Sequence, residues 1–170
     1  KVHRKKGYQI PEAGRTAKGT NIVNILPLEP GETVTAGITV HEFDDDNLMF
    51  VTKQGTVKRV LLSSLNTARK AGIRALTLNE GDELIAVMKT NGENNILLAT
   101  RDGFAICFNE SDVRVMGRDA AGVKGITLLD GDEVVGAGIA EPGKQLLTVT
   151  ELGYGKRTEM NEYLRLDETG

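Results

Sequence analysis

The chain repeats itself at a fixed interval. Leu28-Glu29-Pro30-Gly31-Glu32 returns as Leu78-Asn79-Glu80-Gly81-Asp82 and again as Leu128-Leu129-Asp130-Gly131-Asp132, each copy 50 positions after the last. A second signature keeps step with the first: Thr52-Lys53-Gln54-Gly55 recurs as Thr100-Arg101-Asp102-Gly103 and Thr150-Glu151-Leu152-Gly153. A period of this size marks a repeat architecture, in which one small unit cannot bury its own apolar face and needs a neighbour. The 170 residues therefore read as one continuous array, not as unrelated domains.

Within one period the pattern is that of short strands. Leu48 to Thr52 is an apolar strand, Lys53-Gln54-Gly55 a turn, and Thr56 to Leu61 a second strand with Val57 inward and Lys58 outward. A polar loop follows from Ser63 to Ala71, with a helical turn near Leu62 to Leu65. Ile73 to Leu78 is expected as a third strand, Asn79 to Asp82 as a tight turn, and Leu84 to Met88 as a fourth strand. Earlier in the chain, strands are expected near Ile22 to Leu28 and Val34 to Val40. No segment sustains an apolar period of ~3.6, so little helix is expected. Four short antiparallel strands per period describe a propeller-like blade, and the fold class is all-β.

On this pattern residues 1–46 form the rear of a blade, 47–92 and 93–142 complete blades, and 143–170 the front of another. Both ends read as cuts through a longer protein: Lys1-Val2-His3-Arg4 matches Thr56-Val57-Lys58-Arg59, and the unit begun at Tyr154 is not finished. With aromatics at 4 %, the core must come from Val, Ile and Leu. No apolar run approaches the ~20 residues of a membrane span, and no signal peptide is visible. The single Cys107 falls in the strand pattern Ala105-Ile106-Cys107-Phe108, which reads as a core thiol in a reducing compartment; the expected location is the cytoplasm.

Net charge is −3, but it is unevenly spread. Residues 1–40 carry six Lys/Arg against three Asp/Glu, and residues 93–142 carry four against nine. A polyanion site should therefore be local. One kind of loop recurs just before each third strand. Its copies are Gly14-Arg15-Thr16-Ala17-Lys18-Gly19, Thr67-Ala68-Arg69-Lys70-Ala71-Gly72 and Gly117-Arg118-Asp119-Ala120-Ala121-Gly122. Small residues let a backbone approach a ligand closely, and Arg or Lys adds charge-assisted contacts to phosphate. Loops recurring once per blade lie along one edge of the array, where a phosphate backbone could track past them. Each loop alone reads more readily as a merely solvated turn; three in register strengthen the phosphate reading, and Asp119 weakens the third.

Longer stretches carry a resemblance. Ile10 to Gly19 followed by Ile22-Val23-Asn24-Ile25-Leu26-Pro27-Leu28, then Glu110 to Arg118 followed by Gly122-Val123-Lys124-Gly125-Ile126, and Gly153-Tyr154-Gly155-Lys156-Arg157-Thr158 resemble the C-terminal domain of the DNA gyrase A subunit. The resemblance implies a six-bladed β-pinwheel whose adjacent blades exchange strands, here represented by a partial ring. It implies double-stranded DNA bent around the outer rim, in support of ATP-driven negative supercoiling by a holoenzyme with a B subunit and a second A subunit. ATP and Mg²⁺ would be cofactors of that holoenzyme, with none in this segment. The basic Gly-rich heptapeptide of the family's first blade is not in this sequence.

The expected phosphate contacts are Arg15, Lys18, Arg69, Lys70, Arg118 and Lys124, with Arg74, Lys156 and Arg157 as secondary candidates. Tyr8, Tyr154 and Tyr163 do not stand in the family's cleavage motif and read as strand or rim residues. No nucleophile with a base, and no metal-ligand cluster, recurs at a workable spacing; His3 and His41 are far apart, and Asp44-Asp45-Asp46 reads as a solvated loop. The alternative function is a protein-interaction propeller, with incidental rim charges and an exposed apolar patch on one face.

Overall fold

In a computed structural model that describes residues 1–164, the chain is built from β-strands, with one short helix among the described residues. The strands are β1 (Asn47–Thr52), β2 (Thr56–Leu61), β3 (Leu84–Thr90), β4 (Asn95–Thr100), β5 (Ala105–Asn109), β6 (Val123–Lys124), β7 (Val134–Ile139), β8 (Gln145–Val149) and β9 (Gly155–Glu159), followed by α1 (Met160–Leu164). They form three antiparallel sheets in the orders β3-β1-β2-β6, β5-β4-β7 and β8-β9. The blade-like, all-β architecture expected from the period is present. Among the described residues only the first sheet reaches four strands.

The two sequence signatures keep step because they touch. The Thr-x-x-Gly turn joins the first two strands of each sheet, and the Thr hydroxyl accepts the amide after the glycine: Thr56 N at 3.1 Å, Phe104 N at 3.2 Å and Tyr154 N at 3.2 Å. The Gly-Asp turn then docks on it. Asp82 accepts the amide of Gln54 at 2.9 Å, and Asp132 that of Asp102 at 3.1 Å.

The central strands are buried on both faces, which is why they read as unbroken apolar runs. All six residues of β1 are buried. Met49 and Val51 join Ile96, Leu98, Val113, Met116 and Val134 in a core between the first two sheets. Leu48 and Phe50, pointing the other way, meet Val60, Leu62, Leu65, Ile73 and Ala75. Leu97, Cys107, Ala140 and Met160 form a third cluster, against which Tyr163 packs. Each fully buried side chain of this size stabilises the fold by roughly 1.5–3 kcal/mol.

Strand exchange links the repeats. β6 belongs by sequence to the repeat holding β4 and β5, yet it pairs with β2 of the preceding one, Val57 opposite Val123 and Thr56 opposite Lys124. Gly125 N donates to Gly55 O at 2.8 Å just beyond. Val2 and Ile73 make the same antiparallel contact one repeat earlier, exchanging bonds of 2.8 and 2.9 Å.

This exchange corrects the expected third strand. Ile73 to Leu78 contributes only the single bridge at Ile73, because its partner is Val2 of the earlier segment and not a strand of its own unit. The strands expected near Ile22 to Leu28 and Val34 to Val40 are also not formed. Ile22–Asn24 is a 3-10 turn opened by the Asn21 side chain, and Ile38 and Val40 pack on the second core without joining a ladder. These sequences have strand composition, but no described strand lies alongside to complete their hydrogen bonds. The helical turn at Leu62–Leu65 is present. The end of the 143–170 unit lies outside the described residues.

Candidate nucleic-acid interface

The sheets are oriented by which edges meet. β3 packs against β7 of the next sheet, and β6 lies at the edge of its sheet farthest from β3. The segment leading into β6 therefore lies at the edge opposite β3, with Met116, Ala120 and Val123 packed on the core between the first two sheets, and the segment leading into Ile73 makes the equivalent bridge to Val2.

Two of the three glycine-closed loops take equivalent places there. Gly122 has φ +93°, and a Cβ on it would stand 2.8 Å from Val57 O and 2.9 Å from Thr56 Cγ2. Gly72 has φ +73°, and its Cβ would stand 2.7 Å from Val2 O and 2.9 Å from the His3 ring. Each loop thus rides with its backbone against the second strand of the repeat before it, at a distance only glycine allows. The loop at 14–19 has no such seat. Gly14 and Gly19 have open space around them, and a turn from Ala17 N to Gly14 O at 3.0 Å closes it locally.

Arg15, Lys18, Arg69, Lys70, Arg74, Lys124, Lys156 and Arg157 are exposed, and Arg118 is half-buried. None of these nine forms an ion pair among the described residues. By contrast Lys1 pairs with Glu29, Lys53 with Glu133, Lys89 with Asp46, Arg101 with Glu133 and Lys144 with Glu141. Arg74 and Lys124 are equivalent, each directly following the residue that bridges to the preceding repeat. Lys156 and Arg157 stand apart from the loops. They lie on β9 opposite Thr148 and Leu147, the register positions that Lys58 and Arg59 hold opposite Phe50 and Met49.

Lys58 is not outward as expected but fully buried. Its Nζ donates to Ala75 O at 2.8 Å and to Arg118 O at 2.5 Å. Burial pushes its amine down from the ordinary lysine value, partly offset by the field of Asp119. A strand lysine in alternation reads as solvent-facing, and nothing local marks the two carbonyls that receive it. Arg59 is likewise turned inward, donating to Glu110 O at 2.6 Å.

Lys5 was missed. It lines a cleft together with Lys70 and the segment from Val23 to Pro27, so the basic run from Lys1 to Lys6 adds a cation beside the second loop. That run was the available signal. Arg4 is held over the Phe43 ring, 5.2 Å from its centre. Tyr8 and Tyr154 are exposed, on a 3-10 turn and a hairpin turn, while Tyr163 lies on α1. Asp44 and Asp46 face Lys89. Among the described residues no group of His, Cys, Asp and Glu is placed to hold a metal ion, and no helix is long and apolar enough to cross a membrane.

The family model described as "DNA gyrase C-terminal domain, beta-propeller" matches residues 6–41, 46–91, 94–141 and 144–166. The chain belongs to this family. The DNA gyrase A subunit of Lawsonia intracellularis is 48 % identical over 167 residues, covering 96 % of this chain and 20 % of that protein. The DNA gyrase A subunit of Staphylococcus epidermidis is 47 % identical over 174 residues, covering all of this chain and 19 % of that protein. The chain thus spans about a fifth of the length of these gyrase proteins. Among solved structures, the C-terminal domain of DNA topoisomerase IV superposes with a TM-score of 0.83 at 29 % identity, over 91 % of this chain and 49 % of that one. A DNA gyrase A C-terminal domain superposes at 0.74 and 28 % identity, over 85 % and 48 %. In this gyrase C-terminal domain the glycine-closed loops and exchanged strands are features of the blade edge itself.

Proposed function

We propose that this gyrase C-terminal segment binds double-stranded DNA without sequence preference and curves it along the outer edge of its blades. The observation that carries the reading is the set of unpaired cations at that edge. Arg69, Lys70, Arg74 and Lys124 project from the loops and exchanged strands of successive repeats and have no carboxylate partner among the described residues, whereas Lys1, Lys53, Lys89, Arg101 and Lys144 do. An exposed cation without a protein partner is free to replace the counterions of a phosphate, and their release drives binding. Recurrence of the same loop contact along one edge favours a curved path, in which charge and deformability replace base readout.

The repeats take part as residues 1–46, 47–92, 93–142 and 143–170, the parts of four successive blades. Arg15, Lys18, Arg69, Lys70, Arg74, Arg118 and Lys124 are the proposed phosphate contacts, joined by Lys5; Lys156 and Arg157 are ranked below them because of their place on β9. In the whole protein this segment would serve the ATP- and Mg²⁺-dependent type II topoisomerase reaction of a gyrase holoenzyme, with a B subunit and a second A subunit, in the cytoplasm. The chemistry would belong to regions outside this chain. Family membership favours this reading over an interaction propeller without a DNA role.

The test is the salt dependence of binding to a linear duplex. If about four phosphates are neutralised, log K should fall against log salt with a slope near −3.6. A slope near zero would defeat the proposal.

A further inference from the structure

We infer that Lys58 is a positioning residue for DNA: its buried ammonium ties down the 117–122 loop and so aims the groups that meet phosphate, without touching phosphate itself. The inference rests on the DNA-wrapping reading above and deepens it.

The two acceptors of Lys58 come from different repeats, 17 and 60 positions away in sequence. One is the carbonyl of Ala75, in the core of its own repeat; the other is the carbonyl of Arg118, in the outer loop of the next. A buried ammonium is costly to keep unless its donors are used. Strand pairing does not require a lysine at this position, because Ile106 holds the same place in the next repeat, opposite Leu98. The lysine thus serves the loop and not the sheet.

The geometry of the peptide unit says what the tie accomplishes. The Arg118 carbonyl points inward at Lys58. Across the same planar peptide, the Asp119 N–H must point the other way. That amide takes no hydrogen bond among the described residues. The loop therefore presents an outward N–H beside the Arg118 side chain, a combination suited to a phosphate oxygen. Asp119, which by sequence counts against the loop, has a second role as the carboxylate whose field supports the buried charge.

The first of the two seated loops lacks this tie. His3 corresponds to Lys58, since Val2 bridges Ile73 as Val57 pairs with Val123. Both His3 ring nitrogens are buried without a hydrogen-bond partner. The 67–72 loop thus rests on a side chain that gives it nothing.

The test uses the full-length protein, a linear duplex and amide hydrogen exchange. Lys58→Met is expected to weaken duplex binding about five- to tenfold, the size of one ordinary hydrogen bond lost from the loop to phosphate. The salt slope should stay at its wild-type value, whereas loss of a direct phosphate contact would reduce it by roughly 0.9. In DNA-free protein, exchange at 117–122 should speed up while 67–72 is unchanged, and Lys58→Arg should restore most of both properties. Unfolding of Lys58→Met would speed exchange everywhere, so a second arm adds the tie instead of removing it: His3→Lys should slow exchange at 67–72. Wild-type exchange at 117–122 in folded Lys58→Met, a slope reduced by a full contact, or no slowing at 67–72 in His3→Lys each overturns the inference. If wild-type protein binds DNA with no salt dependence, the DNA reading fails, and the exchange arms still decide whether Lys58 ties the loop.

Discussion

The Asp132 carboxylate accepts the amides of Asp102 at 3.1 Å and Glu133 at 2.8 Å, and so fastens one hairpin turn to another. Burial pushes its pKa up, but hydrogen bonds from the Thr100 hydroxyl and these two amides, together with the Arg101 charge, outweigh it, so the folded value lies below the ordinary 3.8. A depressed carboxylate stabilises the fold above its unfolded pKa and loses that contribution as pH falls through the folded value. Asp132→Asn should therefore unfold at lower urea than wild type at neutral pH, with the gap closing as the pH drops below 3.8. A gap that stays constant in urea titrations across that range would contradict the assignment. The tight Gly-Asp turn was legible from sequence. Its acceptor role was not, because the amide it receives lies 30 residues away.

At the scale of elements, the exchanged strand depends on a glycine that has no room for a side chain. At Gly122 both the positive φ and the 2.8 Å approach to Val57 O oppose any Cβ. Gly131 shares a positive φ of +79° but has open space around it. Gly122→Ala should cost about 2–4 kcal/mol, the sum of backbone strain and a forced shift of the loop. Gly131→Ala should cost about 1 kcal/mol from strain alone. Equal losses in denaturant unfolding would mean that the loop does not ride on β2. The same frame recurs with different side chains elsewhere. The amides of Leu62, Glu110 and Met160 donate to Asp46, Asn94 and Lys144 at 2.8, 2.9 and 2.8 Å. Only Glu110 turns its side chain into the preceding hairpin, where it accepts from Thr90 Oγ1 at 2.5 Å, Gly92 N at 2.6 Å and Asn94 N at 2.9 Å. Glu110→Ala would leave these donors unmatched in a buried site and should cost about 3 kcal/mol in the same measurement. A loss within ~0.5 kcal/mol of zero, the range of an ordinary surface substitution, would show that water replaces the carboxylate.

For the molecule as a whole, the distribution of charge matters more than its sum. Three of the nine acidic residues of the 93–142 repeat are committed to contacts within the fold: Glu110 holds a hairpin, Asp132 fastens two turns, and Glu133 faces both Lys53 and Arg101, while the other six are exposed. Charge reversal of Arg15 with Lys18 should weaken duplex binding more than reversal of Arg118. The first pair is exposed, whereas Arg118 is half-buried beside Asp119. Gel shifts at one moderate salt concentration would compare them, and equal effects would remove the proposed order. Such an outcome would also fit the seating of the loops, since 67–72 and 117–122 share a contact that 14–19 lacks.

By itself the sequence determined the period, the hairpin turns and the all-β blades, because these follow from local patterns: apolar runs, turn glycines and their spacing. It also marked the loop cations, which are exposed apart from half-buried Arg118, but not the seat of their loops, which 67–72 and 117–122 share and 14–19 lacks. Only the tertiary structure decided which strand pairs with which. A two-residue strand such as β6 pairs wherever an open edge lies nearest, and that edge belonged to the previous repeat. It alone decided the fate of Lys58, because a strand residue's exposure depends on what covers its sheet, and what covers this one is a loop from the next repeat.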